Sequence, residues 1–477
     1  MSRLPAIAVA AAILSAGCSS TLNSPPIPVT HPSSAPQSKI QHVIVMLQEN
    51  RSFNNLFRQF PGADTSTSGA CKEYVNKQYH ETFCKGGTVV TLHHITLETT
   101  GIIEGGHDIQ HDHRGFEVEY DGGKMDGFAA MSNGTTGGSG GQPAGTYPYA
   151  YVVRREVQPY WDMAKRYVLG DHMFSTGTTD SFVAHQEIVA GTTRLNSHES
   201  LTDTPTQLPW GCDSTPGTKT AVIFTNGRVV FDGGPFPCLT QYKTMADVLD
   251  AAGISWKYYV QSYDSNSPYF DVSGEAWNGF DPIKSVRYGT DWNNVSIPDT
   301  NILKDVARGT LPQVSWVIPY VVNSDHPASG SNTGPSWVTS VVNAVGTSQY
   351  WKNTAIVVLW DDWGGFYDNV PPPQLDYTSL GMRVPMIVVS PFAKRHYVSK
   401  TQYEFGSVLK FIEQNFGTAS LGSTDVRANS IVDVFNFGQR PDRFQTIDAP
   451  YGESYFLRRQ PSRPAQQVIK ADGGVPD

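Results

Sequence analysis

Four residues that could bind a metal ion follow two apolar segments of this 477-residue chain. The run AIVVLW ends in Asp361 and Asp362. A second run, IQHVIVML, is followed one residue later by Glu49 and Asn50. Carboxylate and amide oxygens suit a hard or borderline divalent cation, and a cation offsets the cost of gathering negative charge. The pattern therefore indicates a metal site supplied by two strand ends.

Each half of this set also has a plainer explanation. Asp and Gly are common turn formers, so Asp361, Asp362 and the two glycines that follow them could form a solvated surface turn. Glu49 could pair with Arg51 in a turn that satisfies its own charges. The sequence leaves both alternatives open for each pair taken alone, and the presence of two such pairs favours the metal site.

A candidate nucleophile opens a segment of helical spacing, DSFVAHQEIVAG, that closes at Gly191. Ser181 would lie at the N-terminus of this helix, where backbone N–H groups and the helix dipole favour a phosphate or a developing oxyanion. Serine and aspartate are also the usual N-cap residues. Ser181 or Asp180 could therefore serve only as a cap.

Histidines supply a further candidate group. His107, His111 and His113 lie close together in HDIQHDHRGF, and His326 lies in SDHPAS. Imidazole can donate to a phosphoryl oxygen or protonate a leaving alkoxide near neutral pH. The first three could instead bind zinc by themselves, and most single histidines are structural. We expect only one or two of the four to take part in chemistry.

Apolar runs that alternate with amphipathic segments predict an α/β fold with a mostly parallel sheet. Ligand sites in such sheets lie beyond the carboxyl ends of the strands, which is where the candidate acids fall. We predict strands over Ile40–Leu47, Tyr167–Leu169, Val314–Ile318, Ala355–Trp360 and Val384–Val389, and helices over Met245–Ala252, Trp337–Val345 and Ser407–Phe416. Ser336 is the expected cap of the second helix, and Gly417 ends the third.

The N-terminus has the pattern of an export signal. A short apolar stretch precedes Leu14-Ser15-Ala16-Gly17-Cys18, which resembles a bacterial lipobox, and an ordinary signal peptide cut nearby is the alternative. We predict a signal over 1–18 with lipidated Cys18 as membrane tether, a flexible linker over 19–38, one catalytic domain over 39–458 and a poorly ordered tail over 459–477. The protein would then be an outer-membrane lipoprotein or a periplasmic or extracellular protein.

The remaining cysteines, Cys71, Cys84, Cys212 and Cys238, predict two disulfides in an exported chain. Proximity favours pairing the first two and the last two, with a four-cysteine zinc site as the rival. The last two flank IFTNGRVVF, so we expect a small disulfide-linked β-hairpin insertion over 211–238. A formal net charge of −9 argues against nucleic acid as a partner.

Together the motifs resemble the bacterial phosphoesterase family that contains phosphatidylcholine-hydrolysing phospholipases C and a related acid phosphatase. The specific parts are HVIVMLQENRSFNNLF, GKMDGF, WKNTAIVVLWDDWGGFYDNVPPP and GMRVPMIVVSPFA. The resemblance implies an alkaline-phosphatase-like α/β sandwich with helices on both faces of the sheet. It also implies a hydrolase that needs a divalent metal, with zinc, calcium, magnesium and manganese all open.

Matched position by position, the resemblance implies that Glu49, Asn50, Asp361 and Asp362 bind the metal. It implies that Ser181 is the nucleophile of a phosphoserine mechanism. The two remaining matches, His111 and His326, would contact the phosphoryl group or the leaving oxygen.

Several positions depart from the commoner family pattern; for example, Ala184-His185 stand where Asn-Arg is frequent. We expect these departures to affect the choice of substrate more than the type of reaction. We therefore expect a phospholipid or small phosphate ester as substrate, with phospholipase C-like hydrolysis as the first hypothesis and acid phosphatase as the second. A third hypothesis, in which the protein is not an enzyme, is an inactive lipoprotein that binds a phosphorylated ligand. The sequence leaves the oligomeric state open.

Overall fold

A computed structural model of the chain describes residues 39–97, 108–133, 142–378 and 380–458. The strands of this described part are β1 (His42–Gln48), β2 (Ser68–Cys71), β3 (Tyr74–Asn76), β4 (Glu81–Phe83), β5 (Thr88–Thr91), β6 (His93–Ile95), β7 (Ser132–Asn133), β8 (Gln142–Pro143), β9 (Ala150–Val152), β10 (Val168–Gly170), β11 (Glu199–Thr202), β12 (Ala221–Phe224), β13 (Val229–Val230), β14 (Trp256–Tyr259), β15 (Val295–Ser296), β16 (Val314–Val317), β17 (Thr354–Trp360), β18 (Met386–Val389) and β19 (Tyr397–Ser399).

The α-helices of the same residues are α1 (Phe53–Phe57), α2 (His113–Tyr120), α3 (Gln158–Arg166), α4 (Ser181–Ala190), α5 (Met245–Ala251), α6 (Val272–Ala276), α7 (Lys284–Arg287), α8 (Asn301–Arg308), α9 (Gly334–Gly346), α10 (Phe405–Phe416), α11 (Thr424–Arg427) and α12 (Glu453–Arg458).

One eight-stranded sheet organises the molecule, in the order β15-β14-β16-β1-β17-β18-β10-β19. Every neighbouring pair is parallel except the two that involve β18, which runs antiparallel to both β17 and β10. The predicted α/β class with a mostly parallel sheet is confirmed. Strands β1 and β17 are central neighbours, paired from His42 opposite Thr354 to Gln48 opposite Trp360.

The composition of β17 explains its position. All seven residues of TAIVVLW are buried, so both faces of the sheet are covered at this strand. A continuous run of β-branched and aliphatic residues suits a strand that is packed on two sides, whereas a half-exposed strand would alternate polar and apolar residues. The same holds for β16 and β18, whose residues are all buried.

The predicted strands and helices are present, with shifted ends. Helix α9 begins at Gly334, three residues before the predicted start, because Pro335 fits the first helical turn. Ser336 is therefore inside the helix, and its prediction as a cap was wrong. Helix α10 does end at Gly417, which adopts the left-handed conformation with φ 67°.

Both predicted disulfides are present, Cys71–Cys84 and Cys212–Cys238, and the four-cysteine zinc alternative was therefore wrong. The second disulfide closes the segment that contains the predicted hairpin, whose strands β12 and β13 pair antiparallel. Strand β11 adds to β12, so the insertion is a three-stranded sheet.

The described residues all belong to one compact unit. The predictions for the signal and linker over 1–38, for the tail over 459–477 and for His107 lie outside the described residues. Among the helices that are described, none has both the length and the apolar character needed to cross a bilayer.

Candidate active site

The two predicted halves of the metal site meet at the carboxyl ends of β1 and β17. The backbone N–H of Asn50 donates to Asp361 Oδ1 at 2.9 Å, and the backbone N–H of Arg51 donates to the Asp362 carbonyl at 3.0 Å. Glu49, Asn50, Asp361 and Asp362 are all fully buried. The solvated-turn alternative for the two aspartates is therefore wrong. The alternative Glu49–Arg51 pair does not form either, because Glu49 contacts a histidine instead.

The chain turns sharply to bring these ends together. Asn50 has φ 56° and Gly364 has φ 59°, both in the left-handed region. A Cβ added to Gly364 would lie 2.2 Å from the Asn50 carbonyl oxygen, so only glycine allows this approach. Asp362 also accepts from the Gly364 backbone N–H at 2.7 Å, which fixes its carboxylate beside the turn.

The buried carboxylates repel one another. Burial, followed by the charge of Asp361, raises the pKa of Glu49 well above its usual value. Three buried oxygens of the predicted ligand set have no hydrogen-bond partner: Glu49 Oε2, Asn50 Oδ1 and Asp361 Oδ2. Buried acceptors without donors are costly, and a divalent cation bound among them would offset that cost. The residues present therefore fit a divalent metal ion.

A histidine outside the predicted set also belongs to this cluster. His185 Nε2 lies 3.1 Å from Glu49 Oε1 and 3.8 Å from Asp361 Oδ2. One ligand atom each from Glu49, His185 and Asp361 lies within 4.8 Å of the others, a spacing that could hold one ion. Burial lowers the pKa of His185 to about 4, which favours the neutral imidazole that metals bind.

The sequence did contain a signal for His185. It follows Ser181 by four residues, so both side chains lie on the same face of a helix. The family resemblance marks this position only as a departure from the common pattern.

Ser181 is the first residue of α4, and Asp180 occupies the N-cap position. The interpretation of Ser181 as the cap was therefore wrong. Its hydroxyl instead donates to Asp362 Oδ2 at 3.3 Å. The helix ends at Gly191, as the sequence predicts, with φ 63°. The hydroxyl thus lies at the positive end of a ten-residue helix and beside the carboxylate cluster.

His111 also contacts the cluster, through the Asn50 side chain. Its Nδ1 donates to the Ile109 carbonyl at 2.5 Å, and its Nε2 accepts from Asn50 Nδ2 at 2.9 Å. A carbonyl can only accept, so Nδ1 carries the proton in this arrangement. Nε2 also lies 3.8 Å from Asp362 Oδ2.

His326 is buried beside the same group. Its Nε2 lies 3.5 Å from Asp108 Oδ2, and its ring packs against Trp277 at a centroid distance of 5.6 Å. Burial, followed by electrostatic interaction with the neighbouring His111 and Arg51, lowers the pKa of His326 well below its usual value. His113 does not join the cluster: its Nδ1 lies 2.8 Å from Thr178 Oγ1.

Arg51 links the β1 end to the turn that carries His326. Its Nε donates to the Asp325 carbonyl at 2.8 Å, and its guanidinium lies over the Phe366 ring at 5.0 Å. Asp325 has φ 71°, a strained conformation for a residue with a Cβ, so this hydrogen bond helps hold the turn. The sequence suggests Arg51 only as a partner for Glu49, so this contact is an addition to the predicted site.

The model of the Phosphoesterase family matches residues 40–419, which include every residue of the cluster. The chain belongs to the Phosphoesterase family. The curated relatives of this Phosphoesterase family member include a non-hemolytic phospholipase C of Burkholderia pseudomallei, 25% identical over 79% of this chain and 55% of the relative. Phospholipase C A of Mycobacterium tuberculosis is 25% identical over 84% of this chain and 78% of the relative.

A hemolytic phospholipase C of Pseudomonas aeruginosa is 25% identical over 79% of this chain and 53% of the relative. The chain thus spans little more than half the length of the Burkholderia and Pseudomonas proteins. Solved structures similar to this Phosphoesterase family member include a protein of the alkaline phosphatase superfamily from Vibrio parahaemolyticus, with 12% identity, a TM-score of 0.32 and coverage of 56% of this chain and 63% of the other. A likeness this distant has no bearing on the chemistry of the site.

Proposed function

We propose that this protein is an exported, metal-dependent phosphoesterase that hydrolyses phosphate esters in the manner of a phospholipase C, with Ser181 as nucleophile. One observation carries the proposal: the Ser181 hydroxyl, at the N-terminus of α4, contacts a buried cluster of carboxylate and amide groups, three oxygens of which have no hydrogen-bond partner. A hydroxyl in this position can attack an electrophile while the helix N-terminus and a cation attract its negative oxygens.

In the proposed reaction, Ser181 Oγ attacks phosphorus in line with the leaving alcohol. The new Oγ–P bond forms as the bond from phosphorus to the leaving oxygen breaks. The serine proton passes to a nearby base or solvent, and the leaving oxygen takes up a proton and departs as the alcohol. The product is a phosphoserine. Water then attacks phosphorus and the Oγ–P bond breaks. One of the two water protons restores the Ser181 hydroxyl, and the remaining hydroxyl of the water stays on phosphorus in the phosphate product.

The metal would be held by Glu49, Asn50, Asp361 and Asp362, with His185 as a further candidate ligand. When bound, a divalent ion supplies positive charge that stabilises a serine alkoxide and the phosphoryl oxygens. Two of these carboxylates are held by backbone donors, because Asp361 Oδ1 accepts from the Asn50 N–H and Asp362 Oδ1 accepts from the Gly364 N–H.

His111 and His326 are the proposed contacts of the phosphoryl group and the leaving oxygen. Both rings are fully buried beside the cluster. His111 presents Nε2 toward Asn50 and Asp362, where it could also accept or return a proton. Positioning and electrostatics supply most of the catalysis in phosphoryl transfer, so we expect both histidines to affect rate more than substrate binding.

The substrate class is proposed from the relatives, whose names describe phospholipases C. A phosphodiester lipid is the first candidate, and a small phosphomonoester, as for an acid phosphatase, is the second. Lipidated Cys18 would place the enzyme at a membrane surface.

The test compares the purified full-length protein with and without chelator on phosphatidylcholine, p-nitrophenylphosphorylcholine and p-nitrophenyl phosphate. We expect turnover of the two diesters, loss of turnover in chelator, and a loss on the order of a thousandfold or more in Ser181→Ala. The matched control is Ser265→Ala, because Ser265 is exposed in a turn. This control should retain wild-type rates.

The alternatives predict other results. Turnover of the monoester alone would contradict the phospholipase C-like assignment and favour acid phosphatase. Binding of a phosphate ester without turnover in any metal would favour an inactive binding lipoprotein. Full activity of Ser181→Ala would exclude the phosphoserine mechanism.

A further inference from the structure

A tyrosine of helix α3 contacts three segments that lead into the candidate site. Tyr160 is fully buried, and its hydroxyl donates to Asp325 Oδ2 at 2.7 Å. The same hydroxyl accepts from Gln48 Nε2 at 3.0 Å. The ring packs edge-on against Trp360 at a centroid distance of 5.0 Å.

Each of these contacts falls on the residue immediately before a candidate site residue. The pairs are Gln48 before Glu49, Trp360 before Asp361, and Asp325 before His326. One side chain therefore connects the two strand ends that carry metal ligands to the segment that carries His326.

The two halves of the site differ in how much they need this connection. The ends of β1 and β17 are held by strand pairing, and the Asp361 backbone N–H donates to the Gln48 carbonyl at 3.0 Å. His326 instead lies outside the strands and α-helices, and the residue before it, Asp325, has φ 71°. A residue with a Cβ keeps such a conformation only where its surroundings hold it. The hydrogen bond from Tyr160 to Asp325 is a contact of this kind.

The hydrogen bond between Tyr160 and Asp325 has the features of a strong one. Burial, followed by the charge of Asp325, raises the pKa of Tyr160 well above its usual value, so the phenol keeps its proton and donates it. A hydroxyl that donates to a carboxylate at this distance makes a charge-assisted bond, which is stronger than a neutral one. Gly334 leaves room for the pair, because a Cβ added there would lie 2.0 Å from Asp325 Oδ1.

We propose that Tyr160 is a positioning residue that holds His326 in place relative to the metal ligands, through its hydrogen bond to Asp325. This role rests on the proposed function, in which His326 contacts the phosphoryl group or the leaving oxygen. Tyr160 then affects the rate only through His326. Metal binding does not depend on it, since strand pairing holds the ligands.

Tyr160→Phe removes the hydroxyl and keeps the ring against Trp360. We expect kcat to fall about tenfold or more, from the usual strength of a hydrogen bond to a charged group, while KM and the metal content change less than about twofold. Tyr403→Phe is the matched control, because Tyr403 is also buried and donates to Asp433 Oδ1 at 2.7 Å, outside the site. The control should keep the wild-type kcat. A wild-type kcat in Tyr160→Phe would overturn the proposal.

A double-mutant cycle separates the positioning of His326 from a general effect on the fold. The loss caused by Tyr160→Phe should disappear in a His326→Ala background, because the side chain to be positioned is gone. An equal loss in both backgrounds would mean that Tyr160 acts by another route, and it would contradict the proposal.

NMR of the histidine rings tests the positioning of His326 without turnover. In the full-length protein with ¹⁵N-labelled histidine, the His326 signals are assigned by their loss in His326→Ala. They should shift in Tyr160→Phe and not in Tyr403→Phe. Unchanged signals in Tyr160→Phe would overturn the proposal even in an active enzyme. Shifted signals in a protein that hydrolyses no phosphate ester would support the positioning role and count against the proposed function alone.

Asp325→Asn provides the same kinetic test if Tyr160→Phe does not fold. Asparagine tolerates positive φ and keeps an oxygen that can accept from Tyr160, but the bond is then neutral instead of charge-assisted. We expect a smaller loss of kcat, about threefold or more, that is again absent in the His326→Ala background. A wild-type kcat in Asp325→Asn would then contradict the proposal.

Discussion

At the scale of single residues, the site combines three carboxylates that would repel one another without a cation. Glu49, Asp361 and Asp362 are fully buried, and this burial, followed by the charges of the two aspartates, raises the pKa of Glu49. The same crowding that makes the metal-free site costly should make the metal-bound site tight. Stability and metal affinity are therefore expected to change in opposite directions when one acid is removed.

Asp361→Asn tests this relation, because asparagine keeps the shape and the oxygen that accepts from the Asn50 backbone. In chelator, the variant should melt at a higher temperature than the wild type, since one repelling charge is gone. It should also retain less metal after dialysis against zinc, calcium, magnesium or manganese, and lose activity on the order of a thousandfold.

Thermal melts, elemental analysis and rate assays measure the three effects. Asp448→Asn is the matched control, because Asp448 is exposed. A lower melting temperature in chelator together with unchanged metal content would show that Asp361 is structural.

The sequence predicted the acids and Ser181 because each follows a recognisable local signal. The acids end apolar runs, and Ser181 opens a segment of helical spacing. His185 and Arg51 were missed as members of the site because their roles depend on packing. The contact of His185 with Glu49 requires α4 to lie across the end of β1, and no local pattern specifies that placement.

At the scale of elements, the site depends on how closely the ends of β1 and β17 approach. Strands β1 and β17 were predictable from composition, but the antiparallel direction of β18 was not. The described residues between Trp360 and Met386 contain no helix, and a parallel return normally needs a crossover of that kind. The absence of such a crossover explains why β18 runs opposite to its neighbour β17.

Gly364→Ala tests the approach of the two strand ends. The added Cβ would lie 2.2 Å from the Asn50 carbonyl oxygen, in a position with φ 59° that L-residues rarely adopt. The ends must then separate, which should reduce both metal retention and activity while far-UV circular dichroism shows the same secondary structure. Gly417→Ala is the control for the φ effect, since Gly417 also has positive φ but has no atom within 4 Å of an added Cβ. Wild-type metal retention in Gly364→Ala would show that the two strand ends can separate to admit the added Cβ without loss of the metal.

At the scale of the whole molecule, several acids outside the site are buried without a cation and should make stability depend on pH. Asp271 is fully buried, accepts from the backbone of Ser273 and Val321, and has one oxygen without a partner. Burial raises its pKa to about 7. Asp299 accepts from the Tyr320 backbone, and burial raises its pKa to about 7 as well. These acids anchor the segment between β16 and the turn of His326.

The sign of the effect follows from the raised pKa of Asp271. The folded state holds a proton that the unfolded chain releases near its ordinary pKa of 3.8, so stability falls as the pH rises from about 4 to about 7. Above pH 7 both states are ionised and the effect is constant, at up to about 4 kcal/mol for a shift of this size. Asp271→Asn removes this titration and keeps an oxygen for the two backbone donors.

The melting temperature of Asp271→Asn should therefore rise relative to wild type between pH 4 and pH 7 and keep a constant difference above pH 7. Any fixed cost of the buried amide shifts the whole curve but leaves this slope unchanged. Asp448→Asn is again the control, because Asp448 is exposed. A difference between Asp271→Asn and wild type that does not vary with pH would mean that Asp271 is ionised in the folded protein, with a cation or solvent beside it.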